Sequence, residues 1–313
     1  MKIYTGLENF TKPKKSIVTT GTFDGVHKGH IQIINELCNK KKDEDSVLIT
    51  FSPHPRMLLY PDQELKLLNS FDEKIDLLKK FPIDHLVIQT FNYEFSRKTP
   101  MDYIRDYLIK KIGLKKLVIG YDHHFGRNRE SSFDLLMEYS ELYDFDIIKV
   151  PPYSEKGISV SSTKIRNHLS SGNIEMANNL LGYSYSFDGK VIHGDGIGKS
   201  LGYPTANLEI TYKNKLLPSD GVYAVLVSVK DVEYLGMLNI GKKPTFKTEK
   251  KSSIELHILD FNKNIYKEEI KVLFFSRIRD EIKFESKEML ISQLKKDEIR
   301  VRNYFHKLPP HWY

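Results

Sequence analysis

Cysteine is nearly absent from this chain, since Cys38 is the single one in 313 residues. One cysteine cannot form an internal disulfide, which excludes a disulfide framework, and it excludes a cysteine-based metal site as well. Cys38 falls within an amphipathic helical pattern, where we expect an inert packing role. This composition fits a reducing compartment, and we expect a cytoplasmic location.

Long hydrophobic runs are also missing. No window of the sequence approaches the ~20 apolar residues that a membrane-spanning helix needs. The first residues, MKIYTGLENFTKPKK, lack the apolar core of a signal peptide. The sequence therefore predicts a soluble protein with no membrane partner.

Acidic residues are outnumbered, because 48 Lys and Arg against 41 Asp and Glu give a formal net charge of +7. Such an excess is compatible with binding to nucleic acid, to a membrane surface or to small phosphorylated ligands, and the net charge alone does not discriminate among these partners. The clusters KPKK and KKK lie near a turn and at a helix end, as is typical of a solvated surface. We expect small-molecule substrates and no nucleic-acid partner, while the oligomeric state is left open.

The length of the chain and its 40% hydrophobic content exceed what one core usually organises, so two domains are expected. Up to residue 150, β-branched runs such as SIVTT, SVLITF, HLVIQ, KLVIGY and DIIKV alternate with helical patterns such as HIQIINELCNKKK. This alternation predicts an α/β domain with a parallel sheet that helices cover on both faces.

The pattern changes after two short predicted helices that flank Gly172. From Tyr183 onward, closely spaced strands with Gly, Asp and Asn turns predict an antiparallel barrel or sandwich, and one helix from about Ser286 ends the chain. We place the boundary near Gly182, which gives domains 1–182 and 183–313.

The segment TGTFDGVHKGH, residues 20–30, joins the first strand of the α/β domain to a helix. Gly21 and Gly25 would let the backbone approach a phosphate, and His27 and His30, one turn apart, could aim ring N–H donors at it. The alternatives are a zinc pair or two satisfied core histidines. Zinc metalloproteases place an acid beside histidines four apart, and that pattern is absent here. We therefore favour phosphate binding.

The letters H-x-G-H, His27 to His30, resemble the signature of the nucleotidyltransferase superfamily, which moves AMP or CMP from a nucleoside triphosphate. SSTKIR, residues 161–166, resembles a second signature of that superfamily. Its hydroxyls would cap a helix and, with Arg166, hold the β- and γ-phosphates that leave as pyrophosphate. A bare SST is a common helix cap, so the order of both segments in one α/β domain carries the resemblance.

Two further stretches, TFSPHPR and GYDHHFGRNR, resemble segments that help to form the flavin and nucleotide pocket of the bacterial FAD synthetases. Without that resemblance, YDHHFG reads equally well as a turn with solvent-facing histidines. The residues implied to bind ATP are Gly21, Phe23, Asp24, Gly25, Gly29, Ser161, Ser162 and Thr163. Those implied to bind flavin are Pro53, His54, Asp122, Phe125, Gly126 and Arg127.

HGDGIGKSLGYPTANL, residues 193–208, contains the GKS that ends a P-loop. A P-loop needs Gly where His193 stands and a helix after Ser200, so we reject that interpretation. The arrangement G-x-x-x-G-x-x-x-G-x-P-T-A-N resembles instead the riboflavin kinase signature. It comprises Gly194, Gly198, Gly202, Pro204, Thr205, Ala206 and Asn207.

The motifs GVYAV, LNIGKKPTF, IELHILDF and RDEIKF follow in order, so the resemblance covers nearly the whole chain. The chain is identified as a member of the prokaryotic bifunctional riboflavin kinase/FAD synthetase family. That family implies a Rossmann-like nucleotidyltransferase domain and then a Greek-key β-barrel with a C-terminal helix. It implies that riboflavin is phosphorylated to FMN with ATP, and that FMN is then joined to AMP to give FAD and pyrophosphate.

The resemblance also assigns roles to residues. Thr205 and Asn207 would hold Mg²⁺ and the ATP phosphates, Arg279 would contribute to the kinase ATP or flavin site, and Glu255 would be the general base on the ribityl hydroxyl. Taken alone, Glu255 reads better as an outward-facing strand residue, because SIELHILDF alternates. His27, His30 and Arg166 would act in adenylyl transfer.

Two rival functions stay open at this point. One is a nucleotidyltransferase for another phosphorylated substrate, with the barrel as a regulatory module; the other is a basic nucleic-acid-binding protein. Some positions also depart from the usual family pattern, which puts the conformation of those loops in question. They are Thr22 in place of Asn, Glu130 and Ser131 where Gly is usual, and Lys267 where a turn Gly is frequent.

Overall fold

A computed structural model describes residues 1–8, 10–121, 133–155, 157–194, 197–242 and 252–308. The chain divides into two compact units, Met1–Ser162 and Thr163–Tyr313. Within the described ranges, no helix is both long and apolar enough to cross a membrane.

The first unit is built on a parallel sheet. Its strands are β1 (Lys2–Thr5), β2 (Ser16–Thr20), β3 (Asp45–Ser52), β4 (His85–Thr90), β5 (Leu114–Gly120) and β6 (Asp146–Val150). Their order is β1-β4-β3-β2-β5-β6, and every pairing is parallel. The expected parallel sheet is confirmed, with β1 as an edge strand that the sequence did not predict. A small hairpin follows, formed by β7 (Ser154–Glu155) and β8 (Ile158–Ser159).

Helices cover both faces of this sheet. They are α1 (Lys28–Cys38), α2 (Pro55–Leu59), α3 (Phe71–Lys79), α4 (Tyr93–Ser96), α5 (Pro100–Asp102), a π-helix (Tyr103–Ile112) that continues α5, and α6 (Phe133–Tyr143). Buried Ile34 of α1 and Leu78 of α3 belong to one apolar cluster, and Leu108 of the π-helix belongs to another. Apolar residues at helical spacing thus produce two cores, one on each side of the sheet.

The barrel lies in the second unit. Its strands are β9 (Ser186–Ile192), β10 (Ala206–Ile210), β11 (Gly221–Val229), β12 (Val232–Lys242), β13 (Ser252–Ile258) and β14 (Glu269–Arg279), with the short helix α9 (Ile197–Ser200) between β9 and β10. They close in the order β10-β13-β12-β11-β14-β9, all antiparallel. Helix α10 (Lys287–Lys307) follows, with Ser286 as its N-cap. The expected antiparallel barrel with a terminal helix is confirmed, although β10 lies in a segment that was interpreted only as a motif.

Two helices before the barrel are α7 (Ser162–Ser170) and α8 (Ile174–Leu181), with Gly172 between them at a φ of +77°. In the second unit, Asn178 of α8 donates from its side chain to the Phe274 carbonyl at 2.8 Å and accepts from the Tyr185 N–H at 2.8 Å. The helix that precedes Gly182 is therefore bonded to the barrel. The division of activities between residues 1–182 and 183–313 stays a prediction.

Candidate functional sites

The H-x-G-H loop leaves the buried strand β2 and enters α1. Its backbone adopts a positive φ at Phe23 (47°), Gly25 (91°) and Val26 (35°). A positive φ is uncommon for residues with a side chain, and for the β-branched Val26 it is strained. Phe23 and Val26 are almost fully buried, so apolar packing helps to hold this conformation.

His27 is the N-cap of α1, and its Nδ1 accepts the backbone N–H of His30 at 3.3 Å. Because Nδ1 accepts, a neutral His27 carries its proton on Nε2, which makes that atom a donor. The two imidazole rings stack with their centroids 3.6 Å apart. A Cβ at Gly29 would press on the His27 ring at 3.3 Å, which explains a glycine between the histidines.

His30 lies inside the stack of the two histidines and Phe23, whose ring meets it edge-on at 5.2 Å. Its Nδ1 is buried and has no hydrogen-bond partner among the described residues. Burial, and then electrostatic interaction with His27 and Lys74, hold the pKa of His30 well below its usual 6.5. His30 is therefore neutral at physiological pH and would act as a hydrogen-bonding group rather than as a cation.

Asp24 connects the loop to two other segments. Its carboxylate accepts the backbone N–H groups of Leu68 at 3.0 Å and Asn69 at 3.4 Å, and its carbonyl accepts from the Ser162 hydroxyl at 2.8 Å. Ser162 is the first residue of α7, so this bond joins the two nucleotidyltransferase signatures. Asp24 was predicted to bind ATP, and its contacts show a carboxylate that also fixes the backbone around it.

The remaining residues of the second signature follow along the chain. Ser161 is partly buried, Thr163 is exposed, and Arg166 is partly buried one turn into α7. Their role in holding the phosphates together with the histidines stays a prediction.

Lys74 is a residue of this region that the sequence reasoning missed. Only 9% of it is exposed, and its Nζ donates to the Thr22 carbonyl at 3.2 Å and to the Thr50 hydroxyl at 3.0 Å. Burial lowers the pKa of its ammonium from 10.5 to about 8, although the Asp24 carboxylate raises it. A signal was present in the sequence, because Phe71, Lys74, Ile75 and Leu78 follow the i, i+3, i+4, i+7 spacing of an apolar helix face.

The predicted flavin segments are described only in part. Pro53 is exposed just after β3, and His54 is the N-cap of α2, with its Nδ1 accepting the Arg56 N–H at 3.2 Å. Asp122, Phe125, Gly126 and Arg127 lie outside the described residues, as do the departures at Glu130 and Ser131. Flavin binding by these segments stays a prediction.

Two glycines of the kinase signature, Gly194 and Gly198, pack against other residues of the same signature. A Cβ at Gly194 would collide with the Asn207 amide, and a Cβ at Gly198 would collide with the Tyr203 carbonyl and lie 3.0 Å from Oγ1 of Thr205. Gly202 has a φ of +79° and open space around it. The missing side chains of Gly194 and Gly198 therefore allow Asn207 and Thr205 to approach the backbone closely.

Glu255 lies in a row of polar residues across three barrel strands. It is opposite Asn207 of β10 on one side and opposite Asn239 of β12 on the other. Directly opposed residues of neighbouring strands point to the same face of a sheet. Ile254 and Leu256 on either side of it are buried, as expected for an outward-facing strand position, and the role of Glu255 as general base stays a prediction.

Asn239 is a second residue that the sequence reasoning did not single out, although it lies in the motif LNIGKKPTF. Its Nδ2 donates to Oε1 of Glu281 at 3.5 Å, and Glu281 belongs to the motif RDEIKF. Asn239 thus connects Glu255, which it opposes across the strands, with Glu281 of a motif far away in the sequence. The strand alternation around Asn239 was the available signal.

Arg279 is held in place by the terminal helix. Its Nε donates to Oδ2 of the fully buried Asp297 at 2.9 Å, and its Nη1 donates to the Asp280 carbonyl at 2.8 Å. Gln293 donates to the other Asp297 oxygen at 2.8 Å. Arg279 therefore ties β14 to α10, and its predicted contact with ATP or flavin stays a prediction.

The departure at Lys267 has a visible consequence, because Lys267 adopts a φ of +68°, the region that favours glycine. Its N–H donates to the Val191 carbonyl at 2.9 Å, so the turn forms in spite of the side chain. The neighbouring Tyr266 ring stacks on His193 with centroids 4.2 Å apart.

A cleft of about 730 Å³ opens beside the signature loop in the second unit. Tyr203, Pro204 and His257 line one side, and Lys295 and Arg302 of α10 line the other. The His257 ring bonds to the Pro204 carbonyl at 2.7 Å through Nδ1. Asp260 and Glu298 also line the cleft, and both form ion pairs with Arg302, so basic and acidic side chains balance next to the kinase motif.

The polar groups of the kinase cluster fit Mg²⁺. Thr205 and Asn207 offer a hydroxyl and an amide oxygen, which are the hard ligands that Mg²⁺ prefers, and Mg²⁺ at phosphate sites commonly keeps few protein ligands. In the described part of the chain, no group of three or more His, Cys, Asp or Glu residues is placed to hold a metal ion. That Thr205 and Asn207 hold Mg²⁺ together with the nucleotide phosphates stays a prediction.

Comparison with known families divides the chain in the same order as the motifs. Residues 9–164 match the family described as FAD synthetase, and residues 181–305 match the family described as riboflavin kinase.

Curated proteins named bifunctional riboflavin kinase/FMN adenylyltransferase resemble the chain over nearly its full length. The one from Buchnera aphidicola subsp. Schizaphis graminum is 38% identical over 98% of this chain and 99% of its own. Those from Listeria monocytogenes and Escherichia coli (strain K12) are 36% and 32% identical, over 93% and 99% of this chain and 93% and 100% of theirs.

A crystal structure described as a macrolide-efflux protein from Streptococcus pneumoniae is similar to this chain, with a TM-score of 0.88 and 33% sequence identity. The match covers 96% of this chain and 99% of that one. Both folds described above therefore recur in that protein.

Proposed function

Since the chain belongs to the family of bifunctional riboflavin kinases/FMN adenylyltransferases, we propose that residues 1–182 carry the adenylyltransferase and residues 183–313 the kinase. The enzyme phosphorylates riboflavin to FMN with ATP, and it transfers AMP from a second ATP to FMN, giving FAD and pyrophosphate. The observation that carries the site assignment is the position of Glu255 opposite Asn207, directly beside the glycine-rich signature loop.

In the kinase, Glu255 accepts the proton of the ribityl 5′-hydroxyl as that oxygen attacks the γ-phosphorus of ATP, and the bond from this phosphorus to the β,γ-bridging oxygen breaks to release ADP. Thr205 and Asn207 hold the phosphates from the loop side, and Asn239 lies on the other side of Glu255. Bound Mg²⁺ would neutralise negative charge on the phosphates during the transfer. A carboxylate placed in this way lowers the barrier, because an alcohol is a weak nucleophile while it keeps its proton.

In the adenylyltransferase, the FMN phosphate attacks the α-phosphorus of ATP. This nucleophile is already an anion at neutral pH, so no strong protein base is needed, and orientation and charge stabilisation carry the rate. His27 donates from Nε2 at the start of α1, and neutral His30 lies against it. Arg166 and the hydroxyls of residues 161–163 hold the departing pyrophosphate.

The cellular setting is part of the proposal. ATP as the donor in both reactions and a single cysteine support a cytoplasmic enzyme. The net charge of +7 attracts small anionic substrates rather than nucleic acid.

The test is a product assay with the purified chain. Riboflavin and ATP are incubated with and without Mg²⁺, and FMN and FAD are separated by chromatography. We expect FMN first, FAD next, and neither without Mg²⁺. If FMN is consumed but riboflavin is not, the barrel has only a regulatory role; if neither flavin changes while nucleic acid binds with a steep salt dependence, the enzymatic assignment fails.

A further inference from the structure

The loop that presents His27 needs an external support. Phe23, Gly25 and Val26 have a positive φ, and such a conformation persists only where the surroundings over-determine it. The Thr22 carbonyl at the start of this segment is fixed by two donors, the Lys74 ammonium at 3.2 Å and the Thr50 hydroxyl at 3.2 Å. Lys74 also donates to Thr50, so the three groups form a closed triangle at the carboxyl ends of β2 and β3.

A charge at this position is costly. Lys74 lies on the buried side of α3, where burying an ammonium without full compensation is unfavourable and a methionine would fill the same space. Two of its three N–H groups have acceptors among the described residues, and both acceptors are uncharged. The fold therefore keeps a positive charge next to the H-x-G-H loop that packing alone does not require.

The charged and titratable groups around Lys74 come from the H-x-G-H loop and from helix α3. Asp24 of the loop raises its pKa and so attracts its charge, whereas His27 and His30 stack on the other part of that loop. Glu73 of α3 accepts the Ser70 N–H at 2.7 Å within a capping box. Ligands of an open α/β sheet bind beyond the carboxyl ends of its strands, which is where this charge lies.

We propose that Lys74 is a positioning residue of the adenylyltransferase, which fixes the Thr22 carbonyl and places a buried positive charge beneath the phosphates of ATP. The proposal rests on the nucleotide site assigned to His27 and His30. Lys74 acts by holding the loop in place and by attracting the phosphates electrostatically. A fixed charge in a partly dehydrated site attracts phosphates more strongly than the same charge does in water.

A pH dependence follows. With a pKa of about 8, Lys74 loses its charge as the pH rises above that value. The phosphate groups, with a second pKa near ~6, are fully ionised by then, and His30 is already neutral. The affinity for ATP in FAD formation should therefore fall as the pH rises above about 8. In the ATP complex the anionic phosphates favour the charged lysine, so kcat should change less than the affinity over the same pH range.

The test compares Lys74→Met with Lys79→Met, which removes an exposed, ion-paired lysine from the same helix. FAD formation from supplied FMN is measured between pH 7 and 10. At pH 7 we expect Lys74→Met to raise KM for ATP about 10- to 100-fold, the range for a hydrogen bond to a charged group, and to lower kcat much less. Its KM should no longer rise above pH 8, and Lys79→Met should behave as the native enzyme.

A stability measurement on the same proteins separates this role from a structural one. Between pH 8 and 10.5 the unfolded chain keeps the Lys74 proton that the folded chain has released, so native stability relative to Lys74→Met should rise with pH across that window. A Lys74→Met enzyme with native KM at pH 7 overturns the proposal. So does a native KM for ATP that stays flat from pH 7 to 10, a result that needs no variant.

A third variant, His30→Ala, tests whether the nucleotide site is assigned correctly. If His30→Ala leaves FAD formation unchanged, the nucleotide site itself is misassigned. If His30→Ala impairs FAD formation but Lys74→Met does not, the site stands and only the role of Lys74 is lost. Riboflavin phosphorylation at the same pH values serves as the internal reference in every arm.

Discussion

The Nδ1 atom of His27 caps a helix and also determines which ring nitrogen can donate to a ligand. Its Nδ1 caps α1 by accepting the His30 N–H, and this bond leaves the proton of the neutral ring on Nε2. Helix capping thereby fixes which nitrogen can donate to a ligand. His30 completes the pair as a neutral ring, because burial and neighbouring positive charge both oppose its protonation.

Replacing His30 with alanine should slow FAD formation from supplied FMN about 100- to 1000-fold. Loss of one preorganised donor to developing charge costs ~2.7–4 kcal/mol. FMN formation from riboflavin, measured on the same protein, should stay nearly native. The matched control is His85→Ala, which removes a buried histidine of the first unit from the first residue of β4, at the amino edge of the sheet. An equal loss in both reactions would indicate misfolding instead.

Replacing Glu255 with glutamine should lower riboflavin phosphorylation by about 10²–10⁴-fold, because the variant keeps the shape but loses the base. FAD formation from FMN should persist, and the melting temperature should change little, as expected for a substitution that leaves no cavity. Glu209→Gln, an exposed position on the neighbouring strand β10, is the control. If Glu255→Gln makes FMN at the native rate, Glu255 has no part in the chemistry.

At the scale of elements, helices position the groups that strands and loops expose. The α3 capping box of Ser70 and Glu73 fixes the start of that helix, and Asp24 binds the two N–H groups just before it. This connection sets the place of Lys74 relative to the H-x-G-H loop. In the second unit, α10 has the corresponding role, since it holds Arg279 through Asp297.

Replacing Asp297 with alanine should destabilise the second unit by about 3–5 kcal/mol, because it leaves Arg279 without its partner in a buried site. The temperature at which riboflavin phosphorylation is lost measures this effect. Asp260→Ala removes a different ion pair of α10, with Arg302 at 2.8 Å, but Asp260 is exposed, so a loss within about 1 kcal/mol is expected. Equal effects of the two variants would show that burial does not decide the strength of these pairs.

At the scale of the whole molecule, the question is whether the helices α7 and α8, which precede Gly182, belong with the barrel. Leu169 of α7 and Leu180 of α8 are fully buried, and Leu169 accepts the Ser219 N–H through its carbonyl at 3.2 Å. Gly172 packs so closely on Arg277 of β14 that a Cβ there would meet its side chain at 2.7 Å. The segment before Gly182 thus completes the packing of the second unit.

A fragment of residues 163–313 should therefore fold, form FMN from riboflavin and make no FAD. A fragment of residues 183–313, which lacks α7 and α8, should make FMN with a clearly lower melting temperature, since apolar surface is left uncovered. Thermal melts and product chromatography on both fragments check this. Equal melting temperatures would show that the two helices contribute nothing to the barrel, and a folded 163–313 that leaves riboflavin unchanged would contradict the kinase assignment.

Much of the fold was predictable because it is local. Runs such as SIVTT and GVYAVLVSVK became β2 and β11, and the two short helices around Gly172 formed where the pattern placed them. The strand β1 was missed because its four residues KIYT form a short, mostly exposed edge strand with little hydrophobic signal. The strand β10 was missed because its residues also belong to a motif.

The sequence by itself determined the types of element, their order, and the two motifs that identify the family, since each of these is written in a short stretch of chain. Only the tertiary structure decided that Lys74 supports Thr22, 52 residues away, and that Asn207, Glu255 and Asn239 form one row. The physical reason is that these contacts join residues from different elements, and their distance and burial are set by how the sheet and the barrel close. Periodicity marks Lys74 as facing inward, and packing alone shows what it meets there.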